Sequence, residues 1–250
     1  TGCTEKTTAA GFPIGFDFLY NDVAMNKFAI AAGGFIVVGK DQVTIDPGSS
    51  GFVFGNDGEG KQNIIGMAMN ATMLSEANTE ISYKLAGSAP NRILTVQYKN
   101  VATSFFGNTA GTFNFQIPLY EAGSKIEYSF RGWSGATRSM DVRIGLKGNN
   151  NDLHLRYSDD YEWNNTAKYT EDRRMNWSAD NYPADNLVYV FTPVADCLRP
   201  PMQPTELTLT ATSVQIEGSF TASAVADHSL VVMTETPTLS QNPVDKTYYK

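Results

Sequence analysis

Residues 91–131 constrain the fold more than any other part of the chain. Ile93, Thr95, Gln97 and Lys99 alternate with Leu94, Val96, Tyr98 and Val101. After a polar turn the apolar period restarts at Phe113, Phe115, Ile117 and Leu119, and again at Ile126, Tyr128 and Phe130. Period-two spacing broken by Gly, Asn and Ser turns specifies antiparallel strands with one buried face and one wet face.

The same grammar recurs along the chain. Phe12, Ile14, Phe16 and Phe18 share one face of a strand over residues 12–20, and residues 28–38 read as a strand pair around Gly33-Gly34. Residues 43–54 read as a strand pair about a Pro-Gly-Ser-Ser turn. Ile65, Met69 and Met73 fall at helical spacing, yet the apolar run around them favours a buried strand. Residues 141–146 and 187–191 supply further strands, whereas between 157 and 182 the period fades into polar residues and aromatics. Charged residues are only 18% of the chain, and the Thr, Asn, Ser and Gly that replace them suit wet sheet faces and turns. About ten strands with little helix predict an all-β, two-sheet antiparallel sandwich.

Pro200, Pro201 and Pro204 mark a stiff linker, which divides the chain into a sandwich over 1–197, a linker over 198–204 and a second module over 205–250. The second module reads as three short strands, at 206–212, 214–220 and 229–234. A seven-strand sandwich of the immunoglobulin or fibronectin class needs roughly 100 residues, so this module is expected to be partial. Its open edges are then expected to pair with another segment.

The net charge of −7, with no basic run, argues against a nucleic-acid partner. No apolar run reaches the roughly 18 residues of a membrane span. Cys3 and Cys197 are the only cysteines. A disulfide between them would close a long loop and contribute about 4–5 kcal/mol in the chain-entropy view. Two unrelated thiols, or lipidation of Cys3, are the other readings.

Several stretches together resemble a jelly-roll-like sandwich found in secreted and cell-surface proteins of the Bacteroidetes. They are F-P-I-G-F-D-F-L-Y-N from Phe12, A-A-G-G-F-I-V-V-G from Ala31, E-I-S-Y-K-L-A-G-S-A-P-N-R-I-L-T-V-Q-Y-K-N from Glu80, F-N-F-Q-I-P-L-Y-E-A-G-S-K-I-E-Y from Phe113 and Y-P-A-D-N-L-V-Y-V-F-T-P from Tyr182. In those proteins the sandwich often precedes fibronectin type III modules, and residues 203–223 resemble the start of one. The resemblance implies a secreted or outer-membrane-associated, modular protein acting in adhesion or glycan contact. It implies no catalytic residues. Where family members carry a Trp and an acidic pair, this chain has Gly-Met-Ala-Met-Asn-Ala at 66–71.

His154 and His228 are the only histidines, and Gly-Trp-Ser-Gly at 132–135 lacks the spacing of a nucleophile elbow. Two histidines and two distant cysteines make no closed zinc site. Asp159, Asp160, Glu162, Glu171 and Asp172 are the acids available for glycoside hydrolysis, with a solvated loop as the plainer reading. Asn56, Asp57 and Glu59, or residues 149–152, have calcium-type oxygens, although turn formation explains both loops. No cofactor or metal is expected.

The aromatic loop is the candidate ligand surface: Trp133, Tyr157, Tyr161, Trp163 and Trp177, interleaved with Asp, Asn and Arg. Flat rings stack on sugar C–H groups while amides and carboxylates take the hydroxyls, and the competing reading is that the rings plug the sandwich. The strands are expected to be scaffold, with binding sought after Asp152. The functional expectation is a non-enzymatic module that binds a glycan or another surface protein. The alternative is the accessory region of a secreted hydrolase with its catalytic domain elsewhere.

Overall fold

The structure, a computed structural model, describes residues 10–31, 33–43, 62–69, 72–105, 108–135, 139–148, 152–193 and 205–222. Residues 44–54, the linker 198–204 and the strand expected at 229–234 lie outside them. The chain divides into two compact units, Thr1–Pro193 and Val194–Lys250. Both are built from antiparallel strands, and the first is a sandwich of two sheets.

The larger, eight-stranded sheet contains β1 (Phe12–Tyr20), β2 (Val23–Ala31), β3 (Phe35–Gly39), β4 (Ile64–Met69), β9 (Met140–Lys147), β10 (Leu153–Tyr157), β11 (Ala167–Tyr169) and β12 (Met175–Trp177). The five-stranded sheet contains β5 (Thr72–Ala86), β6 (Ile93–Phe105), β7 (Asn108–Tyr120), β8 (Ile126–Arg131) and β13 (Val188–Phe191). Successive strands are neighbours through β1–β4 and again through β5–β8. The chain then returns to the larger sheet, where β9 pairs with β4, and finally β13 returns to β8. The far edge of β9 is shared: β10 takes residues 145–147 and β12 takes 140–142.

Local sequence explains the turns and faces. Asn21 and Asp22, at φ 51° and 60°, form the two-residue link that brings Tyr20 opposite Val23, a conformation in which Asn and Asp are tolerated. Ile14, Phe16, Phe18 and Tyr20 of β1 point into the core, as do Leu94, Val96 and Tyr98 of β6, Phe113, Phe115, Ile117 and Leu119 of β7, and Ile126, Tyr128 and Phe130 of β8. The apolar run at 64–69 is a strand rather than a helix. The short β11 and β12 fall where the sequence period fades, so their pairing is imposed by neighbours.

Three core tyrosines hydrogen-bond to backbone carbonyls of the larger sheet, Tyr98 and Tyr128 from the opposite sheet and Tyr20 from within it. Tyr98 donates to Ala31 O and Phe35 O, both at 2.9 Å, and Tyr128 donates to Gly145 O at 2.6 Å. Tyr20 donates to Ile64 O and Lys147 O at 3.1 and 3.0 Å. Burial pushes all three phenol pKa values up, so each hydroxyl stays a donor at physiological pH. Between these contacts Gly145 pairs with Gly66, at φ 155° and 146°. A Cβ on Gly145 would lie 2.2 Å from His154 O, so the backbones of β9 and β10 approach too closely for any side chain.

The larger sheet is covered on its outer side as well. Ala29, Ala31, Phe35, Val37, Val43, Ile64, Leu153 and Leu155 form a second apolar cluster there. Accordingly Phe35, Ile36, Val37 and Val38 are all buried, the continuous apolar run of a strand with both faces covered.

In the second unit β14 (Thr205–Ala211) and β15 (Ile216–Thr221) form an antiparallel hairpin, as the alternation at 206–220 predicts. Leu209, Ile216 and Phe220 share one face and are 65%, 59% and 38% exposed.

Candidate functional site

The structure separates the five aromatic residues of the candidate loop. Trp133, Trp163 and Trp177 are core residues, only 6%, 4% and 0% exposed. Their rings pack together with Phe113 and Phe130: Trp133 lies 5.0 Å from Trp177 and 5.6 Å from Trp163, centroid to centroid. Two indole N–H groups donate inside the unit, Trp133 to Asn114 O at 2.9 Å and Trp177 to Ser134 O at 3.0 Å. A buried ring presents no face to a sugar, so the expected stacking role is corrected for all three. Their apolar area is worth more against the Phe rings than in water.

Tyr157 and Tyr161 remain at the surface. Tyr157 meets Tyr161 and Tyr169 edge-on, at 6.2 and 5.0 Å, and the Arg173 guanidinium lies 5.4 Å from the ring centroids of Tyr157 and Tyr169. This small cluster already fills its own cation position. Cys3 and Cys197 lie outside the described residues, as do the calcium-type loops at 56–59 and 149–151.

The carboxylates are organised as structural partners. Asp172 accepts from Arg143 Nε and Nη2 at 2.6 and 2.8 Å, and this pairing holds its pKa below the usual aspartate range despite partial burial. Hydrogen bonding to Arg92 likewise lowers Glu121. Burial alone would raise Glu127, but the hydrogen bonds from Lys125 and Tyr120, both 2.7 Å, bring its pKa down. Asp159, Asp160 and Glu162 are exposed. A glycosidase acid needs a carboxyl raised toward neutrality, and the carboxyl shifts resolved among the described residues all run the other way. Burial also lowers His154, which is therefore neutral at pH 7. Among the described residues no group of three or more His, Cys, Asp or Glu is placed to hold a metal, and no helix is long and apolar enough to cross a membrane.

Two hollows among the described residues lie on the outer face of the five-stranded sheet. One, of about 370 Å³, is lined by Ser82, Tyr83, Lys84, Ala86, Thr95, Gln97 and Gln116. The other, of about 230 Å³, involves Gln97, Lys99, Asn114, Gln116, Ser129 and Arg131, with Tyr98 and Phe115 beneath. They share Gln97 and Gln116 and so form one groove across β5–β8.

Strand register builds its floor. Ser82, Gln97, Gln116 and Ser129 stand opposite one another on four adjacent strands. Gln116 Nε2 donates to Gln97 Oε1 at 2.9 Å, which fixes both amides. Asn114 is fixed too, accepting from Asn100 N at 2.8 Å and donating to Gly132 O at 3.3 Å. Lys99 makes only a long ion pair with Glu80, 3.9 Å, while Lys84 and Arg131 have no ion pair among the described residues. The sequence carried a signal for this face: its outward positions hold short hydroxyls, amides and three cations. Reading the strands as scaffold passed over it.

A family model described as NIDO related matches residues 1–193 of the chain. No curated protein and no solved structure matches it.

Proposed function

The chain belongs to the NIDO-related family through residues 1–193, and from that premise we propose a non-catalytic contact module of a secreted or surface-anchored protein. It holds a glycan or protein partner against the outer face of the five-stranded sheet, in adhesion or surface recognition. The observation that carries this reading is the asymmetry of the sandwich. One outer face is covered by an apolar cluster over β2–β4 and β10, and the other presents a groove of hydrogen-bonded amides with three cations, two of which have no ion pair among the described residues. A rigid sheet is a good platform for such contacts because its side chains are positioned before the partner arrives. The β14–β15 hairpin is read as the opening of a fibronectin type III-like module, in keeping with the modular bacterial surface proteins that the sequence resembles.

The test is to display the full 250-residue chain to glycan and surface-protein arrays beside the double variant Gln97→Ala/Gln116→Ala. The expected result is at least one class of ligand retained by the parent and weakened about tenfold or more by the variant, the loss of one to two good hydrogen bonds. Binding that the double variant leaves untouched would move the function off this face.

A further inference from the structure

We infer that the groove takes an anionic, hydroxyl-rich glycan strand lying across β5–β8. This deepens the contact-module reading and rests on it.

Charge is the first reason. On a chain of net charge −7, Lys84, Lys99 and Arg131 stand together along one groove. Among the described residues two acids of that face are engaged: Glu80 accepts from Ser82 at 2.9 Å and lies 3.9 Å from Lys99, and Glu127 is held by Tyr120 and Lys125. Arg131 and Lys84, which have no ion pair among the described residues, offer donors that suit carboxylates or sulfates.

The floor supplies the second reason. Neutral sugars draw much of their affinity from an aromatic ring under the pyranose face. Tyr98 and Phe115, beneath the groove, are 0% and 3% exposed, whereas Tyr83 at one end is 43% exposed and packs 5.2 Å from both Phe12 and Phe28. The Lys99–Arg131 part of the groove has no exposed ring beneath it, so attraction there comes from charge and hydrogen bonds.

Hydroxyl recognition is the third. The Gln116–Gln97 bond leaves one amide NH2 and one amide carbonyl unused, so the pair offers a donor and an acceptor side by side. Thr95 and Ser129 add hydroxyls that can do either, and Ser82, whose hydrogen goes to Glu80, adds an acceptor. Four strands at about 4.8 Å spacing give a groove some 14 Å across, enough for a short run of sugar rings.

The experiment titrates the full chain with three probes: a short oligogalacturonate, its fully methyl-esterified form, and poly-L-glutamate of similar charge. The esterified glycan keeps the rings and loses the carboxylates, and the polypeptide keeps carboxylates and loses the hydroxyls. Oligogalacturonate is expected to bind at least tenfold more tightly than either. Arg131→Gln and Lys99→Gln are each expected to weaken it about tenfold with an unchanged unfolding midpoint, consistent with loss of a charge-assisted hydrogen bond. Binding should also fall with added salt. Equal binding of the methyl ester would overturn the role of charge, and equal binding of poly-L-glutamate would overturn the glycan. Failure of all three probes, while arrays still find a ligand lost in Gln97→Ala/Gln116→Ala, would overturn this inference and leave the contact module standing. Failure of both would remove the face from function altogether.

Discussion

The two outer faces of the sandwich are made from the same kind of strand and have opposite fates. On the central strands of the eight-stranded sheet the outward positions include Phe35, Val37, Ile64 and Leu155, and even Arg143 and Lys147 are buried, at 2% and 4% exposure. On the five-stranded sheet the equivalent positions are Thr95, Gln97, Asn114, Gln116 and Ser129, all half-buried in an open groove. A covered face must satisfy every charge internally or lose several kcal/mol. An open face carries no such constraint, so its side chains are free to be chosen for contact. One face stabilises the fold and the other is available for recognition.

Asp172 gives the largest test of that contrast. It is one anchor of the buried Arg143 guanidinium, and Asp172→Asn is expected to destabilise the protein by about 3–5 kcal/mol in chemical denaturation. Its pH dependence has a definite sign. The folded-state pKa of Asp172 is lowered, chiefly by hydrogen bonding to Arg143. Its contribution is therefore full above the ordinary aspartate range and is lost as pH falls through the folded value. The gap between parent and Asp172→Asn should accordingly narrow in acid. A gap that widens would mean that Arg143 depends on another partner.

Gly145→Ala probes the covered face sterically. The methyl would meet His154 O and the φ of 155° is strained for alanine, so a loss of about 2–4 kcal/mol is expected in thermal or denaturant unfolding. Little change would show that β9 and β10 can separate, and that the covered face is more plastic than its packing indicates.

Tyr98 and Gln97 are chain neighbours on opposite sides of β6. Tyr98→Phe removes a hydroxyl that serves two carbonyls, Ala31 O and Phe35 O, and should cost about 1–3 kcal/mol. Amide exchange at the ends of β2 and β3 should quicken with it. Stability equal to that of the parent would mean that water replaces the hydroxyl in the core.

How much of this was legible depends on the range of the interaction. The alternation at Leu94–Val96–Tyr98 and Phe113–Phe115–Ile117 is local, and strands β6–β8 follow it. The unbroken Phe35–Ile36–Val37–Val38 run also announced a strand, and in retrospect its lack of polar positions signalled burial on both faces. The hydroxyl of Tyr98 finds its acceptors 67 and 63 residues away, and Arg143 finds Asp172 29 residues away. Nothing in the neighbouring sequence encodes either distance. The tryptophans misled for a different reason. An indole that plugs a core and one that stacks on sugar have the same composition around them, and only the position of Phe113 and Phe130 decides between the two. The groove was half legible: its residues were visible as a wet face, but their convergence required the register of four strands.

The smallest expected effect on stability is also the most telling. Gln97→Ala and Arg131→Gln sit on the open face, fill no cavity and strand no buried partner, so each should shift unfolding by no more than about 0.5 kcal/mol. The Gln116 amide freed by the first change lies in a solvent-open groove, where water takes the place of Gln97 Oε1. If either substitution instead destabilised the chain by as much as Tyr98→Phe, the outer face would be part of the packing and the two faces would not differ in kind. Stability retained, together with lost ligand binding, is the pairing of results that a recognition surface requires and a structural surface cannot produce.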